Sequence, residues 1–456
     1  MQATEKLERG LGLFEATALN MTFMVGIGPF VVIPFVVGAM GGPQSLVAWV
    51  LGAVLAFFDG CVWAELGAAL PHAGGSYVFL REAYGPDSWG RLMSFLFIWQ
   101  TLFQAPLSIA SGALGFAKYS GYFLAGSRWA SAHAGSAEKA IAVAAVAVAV
   151  GLLYRRITAV GKMSVVLCLI VVATIAWLVY GGVSHFRSDV LLSFPPGAWT
   201  LSTLFFAGLG HATVQSVYSY LGYYNVSNLG GEMKDPARNI PRAIFLSILV
   251  IAILYFAMQT SILSVVPWRD AARSGAVVSL FVERTFGANW AALATALILV
   301  TAFGSIFSAT LGYSRVPYAA ALDGNFFAVF ARVHPAKRFP HISLLALGGA
   351  AVVFCLSLSL IDVIRAILAM RCLIQFVGQA IGLVMLRRRW DSSRFPFRMH
   401  FYPFPVVIAI VGWLGIFVST GKKPMLASLA AMAVGTLIYF GRARLLRQWP
   451  FQEGLA

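Results

Sequence analysis

The chain alternates long apolar stretches with short polar connections. Twelve stretches are long enough to cross a bilayer, at 13–39, 44–70, 91–119, 138–154, 163–183, 199–227, 241–266, 288–319, 342–361, 363–386, 402–420 and 424–441. A hydrocarbon core about 30 Å thick needs about 20 helical residues. It offers no partner for a bare backbone group, so each stretch is predicted to be α-helical. The ninth and tenth run together at Ile361-Asp362, and the fourth is short. Two stretches are interrupted in their middles. The first reads Val25-Gly26-Ile27-Gly28-Pro29, and the sixth reads Tyr218-Ser219-Tyr220-Leu221-Gly222. Glycine is a poor helix former and proline lacks the N–H, so both ladders are expected to break there.

Broken backbone at bilayer depth survives only where it is enclosed by protein or lines a watery cavity. Interruptions at matching places in two halves of a chain point to the substrate site of a transporter. Five spans precede the second break. An odd number of spans inverts the unit that follows, so two five-helix units of opposite topology are expected, at 1–183 and 184–386. Two further helices and a tail would fill 387–456. Close helix packing at small residues is the competing explanation for the glycines.

Composition supports the membrane reading. Hydrophobic residues make up 59% and charged residues 11%, with mean hydropathy +0.81, where a soluble domain is about a quarter charged. The net charge of +16 could signal nucleic-acid binding. Its basic clusters instead fall on one side, at Arg155/Arg156/Lys162, Arg332/Lys337/Arg338, Arg387 to Arg389 with Arg394 and Arg398, and Arg442/Arg444/Arg447. That is the positive-inside bias, and it places both termini in the cytoplasm of a multi-pass cell-membrane protein. The tail around Glu5 to Arg9 has no cleavage site, so no removable signal is expected. Cys61, Cys168, Cys355 and Cys372 lie inside spans without metal-ligand or redox spacing. No nucleophile–base pair is evident, so neither an enzyme nor a cofactor is indicated.

Ionisable groups within spans are costly and therefore candidates for function. Asp59, Glu65, His211 and Arg371 qualify. Gln375 and Gln379 follow Arg371 at helical spacing, so the three are expected on one face. Trp99, Gln100 and Gln104 form a further polar seam. A polar clamp is expected for Glu65, with Arg81 or Arg315 as partner.

Five motifs in order resemble the amino acid–polyamine–organocation superfamily. They are Gly26-Ile27-Gly28-Pro29-Phe30…Pro34; Ala64-Glu65-Leu66…Pro71-His72-Ala73-Gly74-Gly75-Ser76-Tyr77; Tyr218 to Tyr223; Gly231-Glu232 to Ala243; and Ser314-Arg315 through Val333-His334-Pro335. The resemblance implies a LeuT-like fold of five plus five helices and a permease that works by alternating access. It implies that a substrate carboxylate meets the N–H groups of Val25, Gly26, Ile27 and Gly28. The ammonium would meet carbonyls at Tyr218, Ser219 and Leu221, beside Gly222, with Tyr218 as a gating aromatic. A helix start is also electrostatically suited to an anion. Gln104, followed by Pro106, is a further cavity candidate. Glu232, Arg238, Arg315 and Glu65 are inner-gate candidates.

Three departures stand out. Ile27 replaces a common serine, Pro29 removes an N–H, and no lysine lies between Val165 and Tyr180 where many sodium-independent relatives carry one. Coupling is left open between a proton through Asp59, sodium through Ser305, Ser308 and Thr310, and ion-free exchange. A polyamine or organic-cation transporter is the runner-up, but only Asp59 offers the acid it would need. A sensor that binds without flux is the rival of another class.

Overall fold

The computed structural model describes residues 11–72, 74–124, 134–154, 160–335 and 339–451. Ala73, the Arg155/Arg156 and Lys337/Arg338 clusters and the tail at Glu5 to Arg9 lie outside them, as do the side chains of Lys162 and Cys168.

Every expected span meets a helix. The first runs as Leu13–Met24, Gly28–Val31 and Ile33–Met40; the second is Leu46–Ala69; the third, Gly90–Leu124, follows a short helix, Ser76–Tyr84. The fourth is Ala134–Leu153 and the fifth Val160–Ser184. The sixth is Thr203–Tyr220, the seventh Pro236–Val265 and the eighth Ala288–Leu322, with Trp268–Arg273 and Val277–Phe286 between the last two. The ninth is His341–Ser357, and the tenth runs as Leu360–Arg371, a π-helical stretch Cys372–Gly378, and Gln379–Arg389. The eleventh is Phe404–Ser419 and the twelfth Lys422–Leu445. The described residues form an all-α membrane protein. Seven of the helices are long and apolar enough to span by themselves.

The burial pattern fits a bilayer. Leu204, Ile253, Val411 and Leu437 face outward, while Asn20, Asp59, Glu65, Gln259 and Arg371 are buried. The large apolar side chains that water would expel can face lipid, and polar groups are kept from it. The third helix packs along the eighth, tenth, fourth, ninth and twelfth, and the second packs on the seventh, sixth and eleventh. The first packs on the seventh, and the fifth on the seventh and eighth.

Three expectations need correction. The ninth and tenth spans separate at Leu358-Ser359, where the Ser359 hydroxyl accepts the Asp362 N–H at 3.3 Å and starts a new helix as an N-cap does. The sixth span does not resume as a helix after its break. Tyr220 is followed by turns and two short 3₁₀ segments, Asn225–Asn228 and Gly230–Glu232. His211 lies on the exposed surface of the sixth helix, not in the interior.

Candidate functional site

The two interruptions meet. Gly222 has φ 124°, and a Cβ there would lie 3.0 Å from the Met24 N and from the Phe23 carbonyl carbon. Only glycine combines that angle with so close an approach. The Tyr255 hydroxyl of the seventh helix donates to the Met24 carbonyl at 2.8 Å and lies 3.3 Å from the Ser219 carbonyl. Asn20 donates to the Tyr223 carbonyl at 2.5 Å and accepts the Val226 N–H at 2.8 Å. Both side chains therefore satisfy backbone that the interruptions would leave bare. Neither was singled out from the sequence, because each acts across more than 30 residues of chain on a group with no side-chain signature.

The free groups differ in detail from expectation. The Val25 N–H is not released; it closes on the Met21 carbonyl at 2.8 Å. The Gly26 and Ile27 N–H groups have no acceptor among the described residues. The Tyr218 carbonyl takes the Leu221 N–H at 3.3 Å and the Ser219 carbonyl takes Tyr255, so of the three expected acceptors the Leu221 carbonyl is the one left open among the described residues. The Ser219 hydroxyl is buried and unpartnered, 3.6 Å from where a Gly28 Cβ would stand. Unsatisfied donors and acceptors of this kind, gathered at one point, suit a ligand that carries both. Gly26 and Gly28 are not held at positive φ, so their constraint is spatial: Ser305 Oγ lies 3.0 Å from the Gly26 Cβ position, and Tyr218 Cε1 3.1 Å from that of Gly28.

Tyr218 covers Gly28 and shares a hydrogen bond of 2.8 Å with Ser111. Ser111, Ser108 and Gln104 share one face of the third helix. Gln104 donates to Ser108 at 2.7 Å and to the Tyr313 hydroxyl at 3.3 Å. Tyr313 also accepts from Arg371 at 2.8 Å, and Arg371 donates to the Tyr224 hydroxyl through its other terminal nitrogen. Arg371 and Gln104 thus belong to one network, which the sequence suggested only as separate candidates. Trp99 leaves that seam: its indole donates to the Ala431 carbonyl of the twelfth helix at 2.8 Å.

Arg371, Gln375 and Gln379 do not share one hydrogen-bond network. The π-helical stretch begins just after Arg371 and changes the register. Gln379 instead accepts the Ser76 hydroxyl at 2.7 Å. Gln375 is buried and makes no hydrogen bond among the described residues. Asp59 is fully buried and accepts the Tyr223 hydroxyl. The indoles of Trp63 and Trp413 adjoin it, yet its Oδ1 and both indole N–H groups remain unpaired. Of the hydroxyls proposed for an ion, Thr310 is buried and donates to the Ile306 carbonyl at 2.6 Å, and Ser308 is half-buried. Ser305 alone is seen beside the first interruption.

The inner-gate residues are also redistributed. Glu65 pairs with neither Arg81 nor Arg315, both of which are exposed. It takes Arg387 through both carboxylate oxygens, and the Met399 N–H at 2.9 Å. A guanidinium fork matches a carboxylate in this bidentate way, and Arg387 also lies 4.0 Å over the Tyr402 ring. Arg315 donates to the Leu311 carbonyl of its own helix. No ion pair joins Glu232 to Arg238 among the described residues. Backbone joins the segments there: Leu11 donates to the Glu232 carbonyl at 3.1 Å and accepts from Lys234 at 2.9 Å, and Gly74 donates to the Asn228 carbonyl at 3.2 Å.

Residues 11–438 match the amino acid permease family. The chain belongs to that family. It is similar to a serine/threonine exchanger, SteT, of Bacillus subtilis, at 27% identity over 95% of this chain and 97% of that protein. The branched-chain amino acid permease BcaP of the same organism is 25% identical, over 96% and 93%. Human cationic amino acid transporter 4 is 26% identical, over 85% of this chain and 61% of its own length. This permease is an amino acid transporter of the bilayer, and the relatives' names point away from an enzyme.

Proposed function

We propose that this permease binds an α-amino acid where its two interrupted helices meet and carries it by alternating access. The observation that carries the reading is the cluster of unpaired groups there: the Gly26 and Ile27 N–H groups, the Leu221 carbonyl and the Ser219 hydroxyl. The N–H groups precede the Gly28–Val31 helix and suit a carboxylate, and the carbonyl suits an ammonium. Tyr218 is the lid over this point.

The packing supports two five-helix units at 1–183 and 184–386 in a LeuT-like inverted repeat. Exchanging each helix of the first unit with its counterpart five places on maps observed neighbours onto observed neighbours. The first-on-seventh contact becomes the sixth-on-second, third-on-tenth becomes eighth-on-fifth, and third-on-ninth becomes eighth-on-fourth; all are present. The helices after 387 stand outside this exchange. The positive-inside bias supports cytoplasmic termini in a cell-membrane protein.

A polyamine or cation substrate is disfavoured. Asp59 is capped by Tyr223, and the charged group on the Gln104 side is the cation Arg371. Uptake into proteoliposomes decides between the readings. A panel of labelled amino acids and the corresponding decarboxylated amines is offered with and without ion gradients. Amino acids should accumulate or exchange, and the amines should neither enter nor compete. Entry of amines at rates matching their parent amino acids would overturn the carboxylate site. Saturable binding without flux would make the protein a sensor.

A further inference from the structure

Arg371 is buried in the membrane interior with no carboxylate within ion-pair distance among the described residues. A buried guanidinium without an anion is costly and is kept where something is to be bound. Its two terminal nitrogens donate to Tyr224 and Tyr313, and its Nε is buried without a partner. Both tyrosine hydroxyls accept from it; the Ser108 hydroxyl adjoins that of Tyr313, and the Tyr224 proton finds no acceptor among the described residues. The Gln104 amide points into the same cluster as a donor. Donors therefore exceed acceptors around a positive charge, which is the composition of an anion site. The π-helical stretch that starts at Cys372 is a second sign, since such widened turns gather at functional sites.

We infer that Arg371, Tyr224 and Tyr313 take the side-chain carboxylate of the transported amino acid, so that this permease carries an acidic substrate. The inference rests on the site proposed above and adds the substrate class to it. Its length follows from the third helix. Ser111 marks the level of Tyr218 and Gly28, and Gln104 marks that of Tyr313 and Arg371. Seven residues of helix separate them, a rise of about 10 Å. A five-carbon dicarboxylate, extended, with one hydrogen bond at each end spans about that distance. Glutamate fits better than aspartate, and glutamine has the shape without the charge.

The test is competition binding on the purified full chain with glutamate, glutamine and leucine. Wild-type protein should prefer glutamate to glutamine by about 10- to 100-fold, the worth of one charge-assisted hydrogen bond. Arg371→Gln should bring that ratio near one. Tyr313→Phe should lower it less, and it serves as the check if Arg371→Gln fails to fold. Equal or better binding of glutamine by the wild type overturns the inference while leaving the amino acid site intact. A loss in Arg371→Gln that is equal for glutamate and glutamine also overturns it, because Arg371 would then hold the α-carboxylate or only the fold. If no α-amino acid binds at all, the underlying site fails as well.

Discussion

Adding a methyl group at each of three glycines separates a conformational constraint from a spatial one. At Gly222 the backbone sits at φ 124°, and the new Cβ would lie 3.0 Å from two backbone atoms of the first span. The angle costs an L-residue about 1–3 kcal/mol. The contact adds about 1–3 kcal/mol of overpacking, since backbone cannot rotate aside. Together these give about 2–6 kcal/mol against a stability of about 5–15 kcal/mol for ordinary proteins. At Gly28 there is no angular term, and the contact is a ring edge at 3.1 Å. A shift of Tyr218 by a few tenths of an ångström costs about 1 kcal/mol. At Gly26 the contact is the Ser305 hydroxyl at 3.0 Å, which can turn away at the expense of its bond to the Thr301 carbonyl, about 0.5–1.5 kcal/mol. Thermal unfolding in detergent should therefore rank Gly222→Ala as most destabilised, with Gly28→Ala and Gly26→Ala mild. Uptake should fall in all three, and in Gly28→Ala it should fall with the protein still folded. Removing the serine hydroxyl in Gly26→Ala/Ser305→Ala should recover stability. If Gly222→Ala melts with Gly26→Ala, the two interruptions do not press on each other as described.

Two further outcomes are expected. Arg387→Met should destabilise by about 3–5 kcal/mol, because it leaves Glu65 buried with only the Met399 N–H, whereas the double change with Glu65→Leu should recover most of that; additive single effects in a melting cycle would show that the clamp is not a coupled pair. For coupling, proton-linked transport or exchange is ranked above sodium symport: uptake at constant pH with sodium replaced by choline should persist, and Asp59→Asn should abolish any response to a pH gradient. Lost accumulation in choline, with indifference to Asp59→Asn, would reverse that ranking.

The spans were legible because a bilayer imposes one rule on every residue of a crossing. The interruptions were legible because glycine and proline act locally, so Gly26 to Pro29 and Leu221-Gly222 mark their own positions. What was illegible is partnership. Glu65 finds Arg387 rather than Arg81 or Arg315 because the end of the tenth span packs on the second, and nothing in a periodicity reports that. The common role expected of Arg371, Gln375 and Gln379 failed for a different reason: their partners, Tyr224 and Tyr313 for the first and Ser76 for the last, come from separate elements. Tyr255 and Asn20 were invisible because their partners are carbonyls and an amide, which carry no letter in the sequence. The one local signal of their presence is Gly222, whose neighbouring backbone needs partners from elsewhere.

The two side-chain pins also constrain how an alternating-access cycle would run. Asn20 binds the Leu13–Met24 half of the first span to the stretch after Gly222, and Tyr255 holds the ends of both interruptions to the seventh helix. Rotation that separated the first span from the sixth at this level would break several buried hydrogen bonds at once, each costly to leave unmade. The Gly26–Ile27 segment and Gly222, by contrast, have no such pins and can absorb a change of angle. Motion is therefore cheapest if Leu13–Met24 and the 223–233 stretch travel together. The segments on the other side of the interruptions, Gly28–Met40 and Thr203–Tyr220, pack on each other and would remain behind. The contacts to be released are then the peripheral ones: the Gly74 to Asn228 bond and the Glu65–Arg387 clamp. Leu11 rides with Glu232 and Lys234 and need not let go. On the proposed site and topology, the Glu65 clamp, remote from the proposed substrate position, sets the rate of inward opening, and its loss should raise exchange before it lowers affinity.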